Sequence, residues 1–574
     1  MKLNKLYSVP EIFSPINFYS GMNIILGDKN DTTVKTNGVG KSLCVDFINF
    51  CLLKTYKETR HSKIPKHLLN DSFICLNFDL KNNNITIKRS SKNPNHIFFK
   101  IDDKIVEFIK LEDAKDYLNN LYFNDSNHYP SFRSLMGPII RDESSEFKSI
   151  INCYDTQKRI PPDYSPHLYF FGINPKPYKE VKSIISEIGS VKKLRTKIKN
   201  DIKTLTGLNF DEAHAVYNEL NSEIQSLQNN IDNLQFADSF EDAKLLLLNL
   251  ENKIKAIKSE VAIYKSELKK INLFSGDNYI NINEVVETYK FYSQSLGDLV
   301  SKNLEEIISF KNSIDNFQKS ILSTRKEYLI STIKKLEDEC DILESKFHEQ
   351  VKLLDDKNLF STLKISIGEY HRKLSEQLSL LNLIKAYDKF ENELKKLNAL
   401  KANALLDLNQ FILENEKSIK KFESNLLSIY QIVMKNQKCS FNIQTNNTKE
   451  ILDFNLRISD DGSHSLDREK VFLYDISLLI TDEFKDRHPN FLIHDNIFDM
   501  DQDTADKNFN FLLEYFSDLF NNLDKQYIFT LSIDKYNIDF INSGDIDIYT
   551  IARFTKNKKF LNFNYSELEK TQLD

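Results

Sequence analysis

The run Thr36-Asn37-Gly38-Val39-Gly40-Lys41-Ser42 has the residue types and spacing that grip a phosphate chain. Glycines let backbone N–H groups approach an anion, a lysine directly after them reaches the β- and γ-phosphates, and the next hydroxyl ligates Mg2+. Asn37, Gly38, Gly40, Lys41 and Ser42 are therefore the candidate nucleotide-binding residues. The strict G-x-x-x-x-G-K-[ST] spacing is not met, because its first glycine falls on Lys35. Gly27 instead closes the preceding apolar run, and residues 28–35 form an extra polar loop. A cation at such a loop also needs an acid at the end of a neighbouring strand. Phe491-Leu492-Ile493-His494-Asp495 supplies one, so Ser42 and Asp495 are the expected metal ligands. The next residue is Asn496, whose amide cannot take the proton of an attacking water. Either hydrolysis is slow, or Asp499, Asp501 or His494 is the base; Asp495, Asn496, Asp499 and Asp501 make up the candidate catalytic set.

These residues need elements that bring them together. GMNIILG from Gly21 reads as an apolar strand and the residues from Ser42 to Tyr56 as a helix, which puts the glycines at a helix N-terminus, where the dipole favours anions. FICLNFDL from Phe73, NITIKRS from Asn84 and HIFFKID from His96 alternate as strands with one polar face. Helical stretches follow at about Leu111 to Tyr122 and Ser131 to Arg141, and five prolines between Pro161 and Pro177 mark a boundary. From Tyr178 the period becomes seven: Val181, Ile184, Ile188, Val191, Ile198, Ile202 and Leu205 hold one seam, with Arg195 as its polar intruder. The pattern returns from Leu220, Leu250, Leu329 and Ser361, with breaks at 207–210 and near Gly276 and Asp355 where the arm folds back. An all-helical bundle is the competing reading, but the seams are narrow, as in a coiled coil. After Lys438 strands return at SFNI, KEILDFNLRIS, NFLIHD and QYIFTL, with helices from about Leu466 and from Asp503 to Asn522, then a β-rich tail. The expected fold is α/β: a mixed-sheet head made of residues 1–175 and 438–574, split by a long antiparallel α-helical coiled-coil insertion over 176–437.

Composition agrees with two architectures in one chain. The 574 residues exceed one compact domain, and 28% charge with only 13 glycines suits long solvated helices. A net charge of -6 excludes a basic coat for nucleic acid, so any DNA contact is local. Six scattered cysteines without a C-x-x-C pair read as buried thiols rather than a metal site. No signal-peptide core and no run of eighteen apolar residues occurs, so the expectation is a cytoplasmic protein without a membrane partner. Lys192, Lys193, Arg195, Lys197 and Lys199 lie in the most basic stretch, from Lys176 to Lys203, and are the candidate DNA contacts, binding phosphates without sequence preference. A solvated coiled-coil flank is the other reading of the same lysines.

A phosphate loop near the start, an acid-ended strand near the end and a coiled coil between them resemble the SMC/Rad50/RecN-type ABC ATPases. The resemblance implies a split ABC-type P-loop head, ATP and Mg2+ as cofactors, and a homodimer in which two heads sandwich two ATP molecules. A signature helix of one protomer then caps the γ-phosphate held by the other. Gly462-Ser463-His464-Ser465-Leu466-Asp467-Arg468-Glu469-Lys470 stands at the signature position and looks like a diverged LSGGE-K with Ser465 as the capping serine; a plain helix N-cap is its other reading. Where the family carries a switch histidine this chain has Leu531-Ser532-Ile533-Asp534. NGVGKS with DFINFCL, SFRSLMGPIIR, FKNSIDNFQKSILSTRKEYL and FLIHDNIFD are similar to a bacterial branch of short-armed Rad50-like ATPases encoded in anti-phage or mobile-element operons. Membership would imply ATP-driven head engagement that senses or clamps double-stranded DNA and controls an operon-encoded effector such as a nuclease. The alternative is an ATP-gated protein-interaction scaffold with slow hydrolysis and no DNA contact. Arg89, Arg133 and Arg141 stay open between phosphate or DNA contacts and ordinary paired arginines.

Overall fold

Alternating burial builds the first sheet of the head. β1 (Lys2–Val9), β2 (Ile16–Asn17), β4 (Phe73–Leu80), β5 (Asn83–Ser90), β6 (Ile97–Ile101) and β7 (Lys104–Phe108) pair antiparallel in the order β2-β1-β4-β5-β6-β7. Register sets Leu6 opposite Leu76, Leu76 opposite Ile87 and Ile87 opposite Phe99, and this ladder is buried. The computed structural model describes residues 1–28, 38–69, 72–125, 130–158, 160–233, 241–274, 304–353, 360–459, 464–516, 524–535 and 546–563. Two compact units emerge, Met1–Ser183 with Ala402–Asp574 as the head, and Ile184–Lys401 as the arm.

The second sheet positions the site. β3 (Gly21–Gly27), β8 (Ile140–Arg141), β11 (Phe491–His494), β12 (Gln526–Ser532) and β13 (Thr550–Phe554) run parallel in the order β13-β3-β12-β11-β8. All seven residues of β3 are buried, as a parallel strand covered on both faces requires. Every carboxyl end of this sheet therefore faces one edge. β8 departs from the helix expected up to Arg141. α4 (Phe132–Ile139) contains Pro138 and closes with Ile140 N–H donating to Met136 O; Ile140 is already extended, and it and Arg141 pair with β11 instead.

α1 (Lys41–Cys51) also ends before Tyr56. Leu53 turns left-handed, and two arginines donate to carbonyls at and just past the helix end. Arg89 donates to the Phe50 and Lys54 carbonyls at 2.5 and 2.9 Å with its guanidinium 3.9 Å from the Phe50 ring centroid, and Arg133 donates to Leu52 O at 3.3 Å. Both are structural. The head also holds α2 (Lys66–Leu69), α3 (Leu111–Phe123), α5 (Ser165–Phe170), the hairpin β9 (Ser440–Thr445) and β10 (Leu452–Arg457), α12 (His464–Ile480) and α13 (Gln502–Phe511), which passes into a π turn over Leu512–Phe516.

In the arm, α6 (Lys176–Thr206) and α7 (Phe210–Asn233) pack antiparallel along α10 (Phe360–Glu414). Ile188 and Val191 meet Leu394 and Leu397, Ile202 meets Leu380 and Leu383, and Ile224 meets Tyr370 and Leu374. Gly207, at φ 79°, makes the break between α6 and α7. α8 (Glu241–Phe274) and α9 (Leu304–Leu353) form a second antiparallel pair around Ile254, Cys340 and Phe347, with ion pairs Lys258–Glu344 and Lys265–Glu337. Lys270 bonds Asp201 at 3.1 Å, so α8 also joins α6 and the arm is thicker here than a two-stranded coil. The breaks expected near Gly276 and Asp355 lie outside the described residues. Residues 402–437, assigned to the arm from sequence, group with the head instead. α11 (Glu416–Met434) inserts Phe422 among Phe171, Phe441, Tyr474 and Phe484, which are head residues. Among the described residues no helix is long and apolar enough to cross a membrane.

Candidate functional site

Backbone shape explains the glycines first. Gly38 and Gly40 sit at φ 75° and 105°, left-handed values that suit glycine, and Gly40 is the residue before α1. A Cβ on Gly40 would stand 2.5 Å from the Phe560 Cβ, so this position admits no side chain. Asn37 and the polar loop before it lie outside the described residues. The open N-terminal N–H groups of an eleven-residue helix and its positive dipole end thus face the loop that the glycines shape.

Five side chains from two strand ends and one helix converge there. Lys41 is 8% exposed and its ammonium donates to Ser532 Oγ at the end of β12. Burial holds its pKa below the ordinary lysine value, opposed by the nearby Asp495, Asp534 and Glu143. Asp495, directly after β11 and 2% exposed, accepts from Thr530 Oγ1 at 2.8 Å and from the Ser42 hydroxyl. Its carboxyl is pushed up to about 6 by burial, with the Thr530 and Ser42 bonds opposing. A buried cation and a buried acid are thus held by neutral hydroxyls rather than by a full counter-charge. Ser42 and Asp495 together offer hard oxygen ligands, which fit Mg2+ with phosphate and water oxygens completing its shell.

The opposite face of β11 holds a different network. His494 points away from Asp495, because adjacent strand residues face opposite sides. Its Nε2 lies 3.0 Å from Asp475 Oδ2 and its Nδ1 3.1 Å from the Tyr527 hydroxyl. Burial lowers its pKa, so the neutral ring donates from Nε2 and accepts at Nδ1, which leaves no nitrogen for a water. His494 is therefore not the base that the sequence allowed. Asp475, on α12, also binds Arg141 through Nε at 2.5 Å and Nη2 at 3.0 Å. Arg141 is fully buried and donates to Ser149 O and Ile150 O, so it is a structural ion-paired arginine. Its carbonyl accepts from the Asp495 N–H at 2.9 Å, which ties the network to the site through the backbone.

Around Asn496 the loop is held by main-chain contacts. Asn496 is left-handed at φ 70°, donates its N–H to Thr530 Oγ1 at 2.8 Å and accepts from Arg468 at 2.9 Å through its carbonyl. Asp499 is exposed and 3.3 Å from Lys535 Nζ. Asp501 caps α13, accepting from Thr504 N at 2.9 Å. Ser465 is the second residue of α12; its side chain, like residues 462–463 before it, lies outside what is described. Within the arm, Lys192, Lys193, Lys197 and Lys199 are exposed on α6, and the first three line a shallow depression with Thr196, Asn200 and Asp201. Arg195 differs, because it bonds Glu391 on α10 at 2.6 Å.

A family described as uncharacterised proteins conserved in bacteria (DUF2326) matches residues 425–565. The chain is 22% identical over 565 residues to the uncharacterised protein YydD of Bacillus subtilis (strain 168), covering 94% of each. Among solved structures it is similar to the Smc head domain with a coiled coil and joint from Pyrococcus yayanosii, at 12% identity and a TM-score of 0.34, covering 100% of this chain and 98% of that one. It is also similar to the Smc head domain with an extended coiled coil, bound to the C-terminal domain of ScpA, from Pyrococcus furiosus, at 12% identity, 93% and 90% coverage and a TM-score of 0.31.

Sequence reasoning missed Thr530 and Asp475, and gave Ser532 and Arg468, named only within the switch and signature segments, no role of their own. Thr530 and Ser532 had a visible signal, two hydroxyls at period two where an apolar strand ends. Asp475 had only a weak one, an acid inside the apolar run VFLYDISLLI. Its partners come from elsewhere in the chain, and nothing local announces them.

Proposed function

We propose that the head binds ATP with Mg2+, using Gly38, Gly40, Lys41 and Ser42 for the phosphates, with Asn37 beside them, and Ser42 with Asp495 for the metal. The single observation supporting this is the convergence of Lys41, Ser42 and Asp495 at one edge of a parallel sheet, beside left-handed glycines at a helix start. A triphosphate would offset the burial of Lys41, and a divalent cation that of Asp495. Hydrolysis is slow in this reading, because Asn496 replaces a base, one Asp501 oxygen is taken by the cap bond to Thr504 and Asp499 is paired with Lys535. Two copies pair through their heads, with Ser465 of one capping the γ-phosphate held by the other. Head engagement clamps double-stranded DNA along the exposed Lys192, Lys193, Lys197 and Lys199 and controls an effector such as a nuclease, in defence against phage or plasmids.

Calorimetric titration of ATP·Mg2+ into the full chain tests the core of this reading. Lys41→Ala abolishes the binding heat, whereas unchanged affinity would remove the nucleotide assignment. DNA binding measured with ATP present separates clamp from scaffold. Affinity that falls steeply with salt supports the clamp, and no binding at low salt replaces it with an ATP-gated protein-interaction scaffold.

A further inference from the structure

The chain's C-terminal strand and turn are bonded to the phosphate loop. β13 pairs with β3 up to Phe554 opposite Gly27, and the Asp28 N–H donates to Phe554 O at 2.8 Å. Arg553 adds an ion pair to Asp28 at 2.8 Å. The chain then turns back: Thr555 N donates to Lys558 O at 2.9 Å, and Lys558 N to Thr555 Oγ1 at 3.0 Å. It returns to the loop, where Phe560 N donates to Val39 O at 3.0 Å, between the two left-handed glycines. The Phe560 ring anchors this return, with centroids 4.6 Å from Phe13 and 5.4 Å from Phe47 on α1.

This geometry aims one cation at the loop. Lys556, half-buried at the corner of the turn, has its Nζ 3.4 Å from where a Cβ on Gly38 would stand. Its ammonium borders the space where Gly38 has no side chain. The turn Thr555–Lys559 holds three lysines and no acid. We infer that Lys556 is a second phosphate-binding residue of the nucleotide site, clamping the polyphosphate against the backbone of Gly38 from the side opposite its own strand end. The inference rests on the nucleotide reading above. Two ammonium groups from the two ends of the chain then share one polyphosphate, so the site is complete only when β13 and its turn are docked.

Titration of the full chain with ATP·Mg2+, and separately with tripolyphosphate, tests it. A charge-assisted hydrogen bond of this kind is worth roughly a tenfold or greater change in affinity. Lys556→Ala is expected to weaken both ligands by about the same factor, since tripolyphosphate has no base or sugar, and Lys556→Arg to restore most of the loss. Thermal unfolding of the ligand-free protein is expected to stay unchanged in both variants. If Lys556→Ala binds ATP as the parent does while Lys41→Ala does not bind, the Lys556 inference is overturned and the nucleotide reading stands. If Lys41→Ala also binds as the parent, the nucleotide reading fails and takes the inference with it. A loss that Lys556→Arg does not restore, accompanied by earlier unfolding, makes Lys556 a structural support and overturns its phosphate role.

Discussion

Replacing Asp475 by alanine leaves the Arg141 guanidinium, 0% exposed, in the head core without its counter-charge. Two carbonyl acceptors remain, Ser149 O at 2.9 Å and Ile150 O at 2.6 Å, but two contacts at 2.5 and 3.0 Å to the carboxylate vanish. His494 loses its acceptor at the same time. Breaking a buried pair from one side costs roughly 3–5 kcal/mol, because the surviving charge stays desolvated. The chain has 25 tyrosines and no tryptophan, and Tyr474 and Tyr527 are fully buried beside this network. Near-ultraviolet circular dichroism in a urea series therefore follows head unfolding, while the far-ultraviolet signal is dominated by the long helices. Asp475→Ala is expected to lower head stability by about 3–5 kcal/mol and Asp475→Asn by less, since the amide still accepts one N–H. Adding Arg141→Met removes the stranded charge, so the double variant costs about 2 kcal/mol or more below the sum of the singles. Hydrogen exchange at the Asp495 amide, which donates to Arg141 O, quickens in the single variant. Additive costs within about 0.5 kcal/mol, or an Asp475→Ala cost under about 1 kcal/mol, would refute the reasoning.

Three further outcomes are expected. Glu469, fully buried against Asn508, has its carboxyl pushed up to about 7 by burial, with the Asn508 bond opposing. The folded state therefore binds this proton more tightly than the unfolded one, so its contribution to stability is full below the ordinary value near 4.5 and is lost as pH rises to about 7. The loss amounts to about 3 kcal/mol, and Glu469→Gln should flatten the stability profile in that window; an unchanged slope disproves the assignment. Asn496→Glu supplies a base and should raise ATP turnover by roughly a hundredfold or more, offset by about 1 kcal/mol of backbone cost at φ 70°; a folded variant with unchanged turnover removes Asn496 as the brake. Under the proposed DNA clamp, changing Lys192, Lys193, Lys197 and Lys199 together to alanine should flatten the log–log salt dependence of binding by about 0.9 per lost contact, and an unaltered slope removes these lysines as DNA contacts.

Local patterns were legible because their cause is local. The strand GMNIILG, the glycines before Lys41, the alternation around Phe73 and the seven-residue seam from Val181 each follow from side-chain period, glycine φ and helix-end electrostatics within about a dozen residues. Alternation along FLIHD likewise sets His494 and Asp495 on opposite faces. The tertiary structure decided what pairs with what. Lys41 and Ser532 bond across 491 residues of chain, and Thr530 reaches Asp495 only because β12 lies between β3 and β11. The two-residue β8 has no period to detect; it exists because β11 offers an edge where α4 ends. The same holds for the arginines, whose roles depend on which helix end or carboxylate comes within reach. Strand order in a sheet buried on both faces is chosen by long-range packing, so sequence determined the parts of the candidate site and the fold decided which residues complete it.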